Sequence, residues 1–273
     1  MANYKHTIVK PKTRRLRQKK SFFALPVFWI ALLVVLLFAG TTYFFFFYQK
    51  FQVQQVEIAG NQKIQTQDIN QVIWDSLNQK FFTASLISFS SKNIFLIDQD
   101  SIIALLLRKF PGIDQIFVQK KMPSGLSFVI KERQPVAVFC DNENPEHCFS
   151  LDEKGIVFEI LQNPTNGMVI VRNKNVYDVS LGKAVVDKEV VDKIVKIERN
   201  LQDNFNIKIT EAIVADPLVI ISPEGWKMYF SMKEDIDLQI SKMNALLKNE
   251  IPTEERAKLQ YIYLQYKDRA YYK

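Results

Sequence analysis

The chain contains few of the residues on which catalytic and metal sites depend. Its 273 residues include two histidines and two cysteines. His6 lies in a basic segment and His147 in a predicted loop, and neither has a catalytic setting. No phosphate loop, dinucleotide-binding fingerprint, zinc signature or nucleophile elbow is present. The sequence therefore gives no reason to expect an enzyme, and it predicts no metal ion and no cofactor.

Acidic residues are absent from the first 21 residues, although this segment contains eight lysines and arginines. Since the whole chain has 36 basic and 29 acidic residues, the remainder has 28 basic against 29 acidic and is nearly neutral. A body that binds nucleic acid is expected to carry a basic face. The excess positive charge belongs instead to the tail formed by residues 1–21, and we predict no nucleic-acid partner.

Charged residues are also absent from residues 22–48. A helix of that length spans roughly 40 Å, more than the ~30 Å of a hydrocarbon core. The alternative is a cleaved signal peptide, with an apolar region of about 7–15 residues and small residues at its cleavage site. Here Ala39, Gly40 and Thr41 are small, but the bulky run Phe44–Phe47 follows them. We predict one transmembrane helix at 22–48, with the tail in the cytoplasm by the positive-inside rule and the rest of the chain outside the cytoplasm.

The two cysteines both lie in the part predicted to be exported. Cys140 and Cys148 stand on either side of a seven-residue polar loop between two strand-like runs. A cross-strand disulfide is expected there if the compartment is oxidising, and two reduced thiols are the alternative. A metal site that used both cysteines and His147 would need more ligands than the neighbourhood offers.

Residues 51–133 read as strand, helix, helix, strand and strand. The apolar residues of 66–79 recur at helical spacing, and a second helix is predicted to end before Pro111. In the next strand, alternation places Ile116 and Val118 on one face and Gln115 and Phe117 on the other. This order predicts a small α+β domain, a three-stranded sheet with both helices on one face. Residues 81–93 form a Ser- and Phe-rich connection between the helices.

Residues 134–273 are mainly strand-like, interrupted by two predicted helices at about 187–203 and 234–249. We predict an α+β fold overall, with a second domain built on a larger mixed, mainly antiparallel sheet with flanking helices. The chain closes on "YIYLQYKDRAYYK", which predicts a hairpin with strands 261–266 and 269–273 and a short turn at Lys267-Asp268.

Several phrases resemble the FtsQ/DivIB family of bacterial cell-division proteins. They are "VEIAGNQKI" at 56–64, "FPGIDQIFVQKKMPSGLSFVIKERQPVAVF" at 110–139, "LDEKGIVFEI" at 151–160 and the closing tyrosine-rich segment. The resemblance implies a cytoplasmic tail (1–21), a membrane anchor (22–48), a POTRA domain (51–133) and the family's β domain (134–273). It also implies a scaffold of the division septum that is not an enzyme.

The resemblance further implies two contact surfaces. A coiled-coil division protein of the FtsB/FtsL (DivIC/FtsL) kind would add a strand at the C-terminal sheet edge, and other divisome components would meet the POTRA domain. The expected partner-binding residues are Tyr261, Leu264, Tyr266, Asp268, Arg269, Ala270, Tyr271 and Tyr272. The expected POTRA contact residues are Gln115, Val118 and Lys120. Tyr263 and Gln265 depart from the acidic residue and the arginine often found in the family's closing strand.

Three alternatives stay open at this stage. The closing tyrosines could simply pack in the sheet, and Gln115–Lys120 could be an ordinary polar sheet surface. The chain could also be a POTRA-bearing accessory of protein translocation or secretion, which would use the same strand addition on a substrate.

Overall fold

The computed structural model of this chain describes residues 26–78, 80–84, 87–90, 92–142, 144, 147–162, 167–176 and 178–273. The fold is α+β, with one apolar N-terminal helix and a large mixed sheet, which confirms the predicted fold class at that level. The predicted tail 1–21 and residues 22–25 of the predicted span lie outside the described residues. The chain divides into two compact units, the first ending at Gln52 and the second comprising Val53–Lys273.

The first unit contains helix α1 (Pro26–Phe47) and a 3₁₀ turn at Gln49–Phe51. Proline is tolerated at the first helical position because the N–H that it lacks would have no partner there. The helix carries no charged residue and has no polar face, and its 22 residues extend about 33 Å. Among the described residues it is the one helix long and apolar enough to cross a membrane.

The second unit begins with a three-stranded sheet and two helices. The elements in chain order are β1 (Gln55–Ala59), α2 (Thr66–Asn78), β2 (Lys80–Ala84), β3 (Ile87–Ser90), α3 (Gln99–Lys109), β4 (Ile113–Lys121) and β5 (Gly125–Glu132). The sheet order is β1-β5-β4, with β1 parallel and β4 antiparallel to β5. The carboxylate of Asp98 caps α3 by accepting the N–H groups of Asp100 and Ser101. Residues 81–93, expected to be a connection, instead contribute most of the paired strands β2 and β3.

Helices α2 and α3 cover one face of this sheet. The inner face of β5 is buried through Leu126, Phe128 and Ile130, and the apolar stripe of α2 is buried with it. Phe117 and Val129 face the opposite side and are exposed. The predicted two-layer arrangement, with both helices on one face, is therefore what the structure adopts.

The rest of the unit is a nine-stranded sheet with two helices. The elements are β6 (Ala137–Cys140), β7 (Cys148–Leu151), β8 (Val157–Leu161), β9 (Ile170–Asn173), α4 (Lys188–Phe205), β10 (Glu211–Val214), β11 (Leu218–Ile221), β12 (Lys227–Phe230), α5 (Ile236–Asn249), β13 (Tyr261–Tyr263) and β14 (Tyr271–Tyr272). The order is β14-β13-β12-β11-β10-β9-β6-β7-β8. Five of its eight strand pairs are antiparallel and three are parallel.

One cross-strand row of side chains forms the centre of the core. In register across eight strands, from β7 to β14, it consists of Phe149, Phe139, Val171, Ala212, Ile220, Met228, Ile262 and Tyr272. Helices α4 and α5 pack over this face, and their buried residues belong to the same cluster. The opposite face of the sheet carries neither helix, and we call it the open face.

A cluster of ion pairs joins the two sheets at the predicted domain border. Arg133, which directly follows β5, binds the carboxylate of Asp152 after β7, and its Nε donates to the carbonyl of Pro111 at 3.0 Å. Asp114 lies 3.6 Å from Arg133 and also binds Lys154. Burial raises the pKa of Asp114, but the hydrogen bond and charge of Lys154 and the charge of Arg133 outweigh it, so the net shift is downward.

Glu132 fixes the turn that follows β1. Its carboxylate accepts the backbone N–H groups of Gln62, Lys63 and Ile64 at 2.9–3.1 Å. Gly60 has a φ of +88°, and a Cβ there would meet the carbonyl oxygen of Ile130 at 2.3 Å, so only glycine fits. Burial raises the pKa of Glu132, yet the three backbone donors outweigh it and leave the pKa below its ordinary value.

We expect Glu132→Gln to lower the free energy of unfolding by about 1–3 kcal/mol at neutral pH, because three backbone N–H donors lose a charged acceptor. Since the folded-state pKa of Glu132 is lowered, its contribution is complete above the unfolded-state value of about 4.3 and is lost as the pH falls through the folded-state value. Denaturant titrations of the full chain in detergent at pH 7 and at progressively lower pH should show the two proteins converging. The control is Glu224→Gln at an exposed turn. An equal loss in both variants, or a difference independent of pH, would contradict this assignment.

Candidate functional site

The nine-stranded sheet ends in a short strand with one open edge. β14 pairs with β13 on one side, with Ile262 opposite Tyr272 and Tyr263 opposite Tyr271. No strand in the described part of the chain pairs with its other side. An edge of this kind presents unpaired backbone donors and acceptors that another strand can satisfy.

The hydrogen-bond pattern shows which backbone groups point outwards. The N–H of Lys273 donates to the carbonyl of Tyr261 at 3.2 Å, and the N–H of Tyr261 donates back to the carbonyl of Lys273 at 3.3 Å. Because bonded and non-bonded pairs alternate along an antiparallel ladder, the pair formed by Ile262 and Tyr272 is not bonded. The N–H and carbonyl of Tyr272 therefore face the open edge.

The core row ends on the edge strand β14, and its last residue, Tyr272, is only partly buried. Its other seven members are at most 7% exposed, whereas Tyr272 is 45% exposed. Beside Tyr272 lies a cleft of about 300 Å³, with apolar walls from Ile251 and Leu259 and a rim that includes Glu255 and Lys258. A further residue beyond Tyr272, supplied by another strand, would complete the burial of Tyr272.

Tyrosines lie on the open face behind the same edge. Tyr271, Tyr263 and Tyr229 are in register across β14, β13 and β12. The ring of Tyr263 lies 4.7 Å from those of both Tyr229 and Tyr261, and the rings of Tyr266 and Tyr271 meet edge to face at 5.6 Å. Tyrosines offer large contact areas at low entropic cost. The edge therefore has aromatic surface on both faces of the sheet.

The connection between β13 and β14 is longer than predicted. A turn confined to Lys267-Asp268 was wrong, because the chain leaves the sheet after Tyr263 and returns only at Tyr271. Leu264, the first residue of this connection, has its side chain fully buried in the core. It is therefore not available to a partner, in contrast to its expected role.

The other expected partner-binding residues differ in their exposure. Tyr266, Asp268, Arg269, Tyr271 and Tyr272 are exposed. Tyr261 is half-buried in β13, and Ala270 is half-buried and packs against the core. The exposed members therefore cluster at the edge strand and in the connection that precedes it.

Lys242 on α5 holds this connection in place, and the sequence did not single it out. Its Nζ donates to the carbonyls of Leu264 at 3.0 Å and Lys267 at 3.5 Å, and also to that of Tyr266. Burial lowers the pKa of Lys242, and the nearby charges of Glu234 and Asp268 oppose that shift. In the sequence, Lys242 is marked only by its position next to Met243, which belongs to the apolar stripe of α5. That position does not predict hydrogen bonds to carbonyls some 22 residues further along the chain.

The expected POTRA contact residues share an edge but not a face. β4 is an edge strand of the three-stranded sheet. Gln115 is exposed on the outer face beside Phe117, which pairs with Val129. Val118 is half-buried on the inner face, and Lys120, on that same side, reaches the carbonyl of Ile97 at 3.3 Å. Phe117, 58% exposed, is the larger apolar contact, and strand alternation alone had placed it on the face of Gln115.

Cys140 and Cys148 lie opposite each other on β6 and β7, and their Sγ atoms form a disulfide. Both are buried in a small apolar cluster with Val138 on the open face. The described residues contain no group of three or more His, Cys, Asp or Glu side chains that could hold a metal ion.

A cleft of about 280 Å³ at the junction of the two sheets contains two carboxylates, and both are engaged in structural contacts. Glu132 accepts the three backbone N–H groups of the turn at Gln62–Ile64. Glu159 pairs with Lys63 at 3.2 Å. The first contact lies within the three-stranded part, and the second joins it to β8 of the nine-stranded sheet.

Comparison with known proteins gives no independent assignment, since no family model and no curated protein matches this chain.

We expect Lys242→Met to loosen the segment 264–272 without unfolding the sheet, because three carbonyls lose their common donor. Hydrogen exchange of the amides in this segment should accelerate by about an order of magnitude, which corresponds to the loss of roughly 1–1.5 kcal/mol of local stability. The matched control is Lys248→Met on the same helix, where the lysine is exposed. Unchanged exchange in Lys242→Met would show that the connection is held by other contacts.

Proposed function

We propose that this protein is a bitopic membrane scaffold of the bacterial divisome, of the FtsQ/DivIB kind, and not an enzyme. The observation that carries the proposal is the open edge of β14. There the outward N–H and carbonyl of Tyr272 have no partner strand among the described residues, and its side chain is half exposed. Its partner is a coiled-coil division protein of the FtsB/FtsL (DivIC/FtsL) kind, which adds a strand there. Strand addition provides affinity through the backbone and selectivity through alternate side chains.

The chemistry of the edge defines the strand that it accepts. On the helix side, an apolar residue would cover Tyr272 and the cleft wall formed by Ile251 and Leu259. On the open face, the next residue along the strand would pack on Tyr271. The site thus favours a segment with apolar or aromatic residues on both faces, flanked by charges that complement Glu255 and Lys258.

The remaining parts of the chain fit the same function. The order strand, helix, helix, strand, strand, with β1 beside β5, supports a POTRA domain in residues 51–133. Its edge strand β4, with Gln115, Phe117 and Lys120 exposed, is the proposed contact for other divisome components. Helix α1 anchors the protein in the cell membrane, and the basic tail remains in the cytoplasm.

The first test of this function uses Tyr272→Pro. Proline removes the N–H that faces the open edge while leaving the bonds of Lys273 to β13 in place. We expect affinity for the coiled-coil partner of the same cell to fall at least roughly fivefold, the equivalent of one backbone hydrogen bond of about 1 kcal/mol. Tyr272→Phe keeps the N–H and most of the contact area, and should bind nearly as the natural protein does. Binding would be measured by biolayer interferometry with the full chain in nanodiscs, after near-UV circular dichroism has verified folding. Equal affinities for the two variants would rule out strand addition at β14.

The second test concerns the place of action. A functional fluorescent fusion should concentrate at mid-cell during constriction, and cells depleted of the protein should form filaments. Accumulation at sites of secretion, or an even distribution around the cell with normal division, would instead favour an accessory of protein translocation.

A further inference from the structure

The nine-stranded sheet has a second end, opposite the edge assigned to the proposed partner. There β8 is the last strand, and β7 is its one neighbouring strand in the described part of the chain. Ile160 of β8 pairs with Phe149 of β7, so its side chain extends the core row on the side that the helices cover. Phe149 is 7% exposed, whereas Ile160 is 61% exposed. The core row therefore ends on an exposed apolar side chain here as well.

The hydrogen bonds of the neighbouring strands show which way the backbone of Ile160 points. The N–H of Asp141 donates to the carbonyl of His147 at 3.0 Å, so the backbone of His147 points towards β6. Since the backbone groups of successive strand residues point to alternate sides, those of Ser150, three residues further on, point towards β8. The partner of Ser150 on β8 is Glu159. The next residue, Ile160, therefore directs its N–H and carbonyl away from β7.

Among the described residues, the outer side of β8 has a backbone partner only at the start of the strand. The N–H of Gly182 donates to the carbonyl of Val157 at 2.7 Å, and the N–H of Val157 donates to the carbonyl of Lys183 at 3.1 Å. The same segment forms a turn, closed by the N–H of Lys183 on the carbonyl of Ser180 at 3.2 Å. No described strand pairs with the outer side of β8 further along. An added strand would satisfy the outward groups of Ile160.

The cleft of about 280 Å³ at the junction of the two sheets adjoins this strand. β8 contributes Phe158 and Glu159 to its lining, and the three-stranded part contributes the apolar residues Ile64, Phe110 and Pro111. Pockets that enclose a small-molecule ligand are mostly about 300–1,000 Å³. Since this cleft lies just below that range, it suits one or two side chains of an extended segment better than a whole small molecule.

The charges of the cleft favour an acidic segment. Both of its carboxylates already have donors, Glu132 from backbone N–H groups and Glu159 from Lys63. Arg133 belongs to the ion-pair cluster between the sheets. Lys109, exposed at the end of α3, pairs with no carboxylate among the described residues. A further carboxylate is therefore the group that the rim is able to bind.

We propose that the outer side of β8 and the adjoining cleft form a second strand-docking site, which takes an extended acidic segment of another protein. The segment pairs with the N–H and carbonyl of Ile160, covers its side chain with an apolar residue and places a carboxylate at Lys109. The inference goes beyond the proposed function and does not rest on it, because it uses the end of the sheet opposite β14.

The test uses a phage-displayed library of random peptides and the full chain in nanodiscs. Clones are selected after depletion on empty nanodiscs, and the enriched sequences are synthesised with a fluorophore for anisotropy titrations. We expect acidic peptides with apolar residues at alternate positions, since successive residues of an added strand face opposite sides of the sheet. Enrichment of basic peptides alone, or of none, would contradict the proposed site.

A matched pair of variants tests the backbone contact. Ile160→Pro removes the outward N–H and leaves the bonds of Glu159 to β7 in place, whereas Ile160→Val keeps the N–H and a branched apolar side chain. We expect affinity for the selected peptides to fall at least about fivefold in the first variant and to change little in the second. Equal affinities would overturn the site. A loss in Tyr272→Pro but not in Ile160→Pro would place the peptides at β14 and overturn it too.

Two further measurements keep the proposal testable if Ile160→Pro fails to fold. N-methylation of alternate peptide amides blocks pairing from the peptide side, so one of the two methylation patterns should weaken binding at least about fivefold and the other little. Lys109→Glu should weaken binding severalfold, whereas Lys248→Glu, the same charge change at an exposed lysine of α5, should not. Equal binding of both methylated peptides, or an equal loss in both lysine variants, would reject the docking site.

Discussion

Burial of one face of the nine-stranded sheet under α4 and α5 fixes the register of the strands that the core row joins. A shift of one residue would move a whole strand's apolar set to the other face, so the core row from Phe149 to Ile262 allows one pairing. That row decides where Tyr272 lies and which of its backbone groups remain unpaired. The candidate site is thus a consequence of the core, since no strand among the described residues covers Tyr272 at the outer side of β14. A partner strand would extend the same pattern of burial by one position.

The two sheets are joined by charges where the chain passes from one to the other. Arg133 connects Asp152 and Asp114, and Asp114 also pairs with Lys154. Such buried pairs contribute little net stability compared with apolar packing, but they strongly disfavour arrangements that separate the partners. Their role here is to hold the two sheets of the second unit in a fixed arrangement. A strand bound at β14 and a protein in contact with β4 would then be attached to one rigid unit.

The proposed scaffold function depends on exposed contact surfaces of the second unit and not on its clefts. The cleft between the sheets has its carboxylates engaged by backbone N–H groups and by Lys63, whereas the β14 edge and the outer face around Phe117 carry exposed apolar side chains. In the proposed function the first of these surfaces takes a strand and the second a protein face. A membrane-anchored scaffold that brings several partners together has use for both.

The sequence alone determined the elements whose signal is local. Helical spacing predicted α2, α4 and α5, the absence of charge predicted α1, and alternation placed Phe117 opposite Ile116. It also gave the α+β class and the closing hairpin. Tertiary structure decided the rest, because the deciding contacts join residues far apart in the chain. Leu264 was expected to contact a partner, yet its side chain is buried in the core, and the connection that begins with it is held by Lys242. Strand propensity likewise could not say that β14 is the last strand or that the outward backbone groups belong to Tyr272, since both depend on which strands pair and in which register.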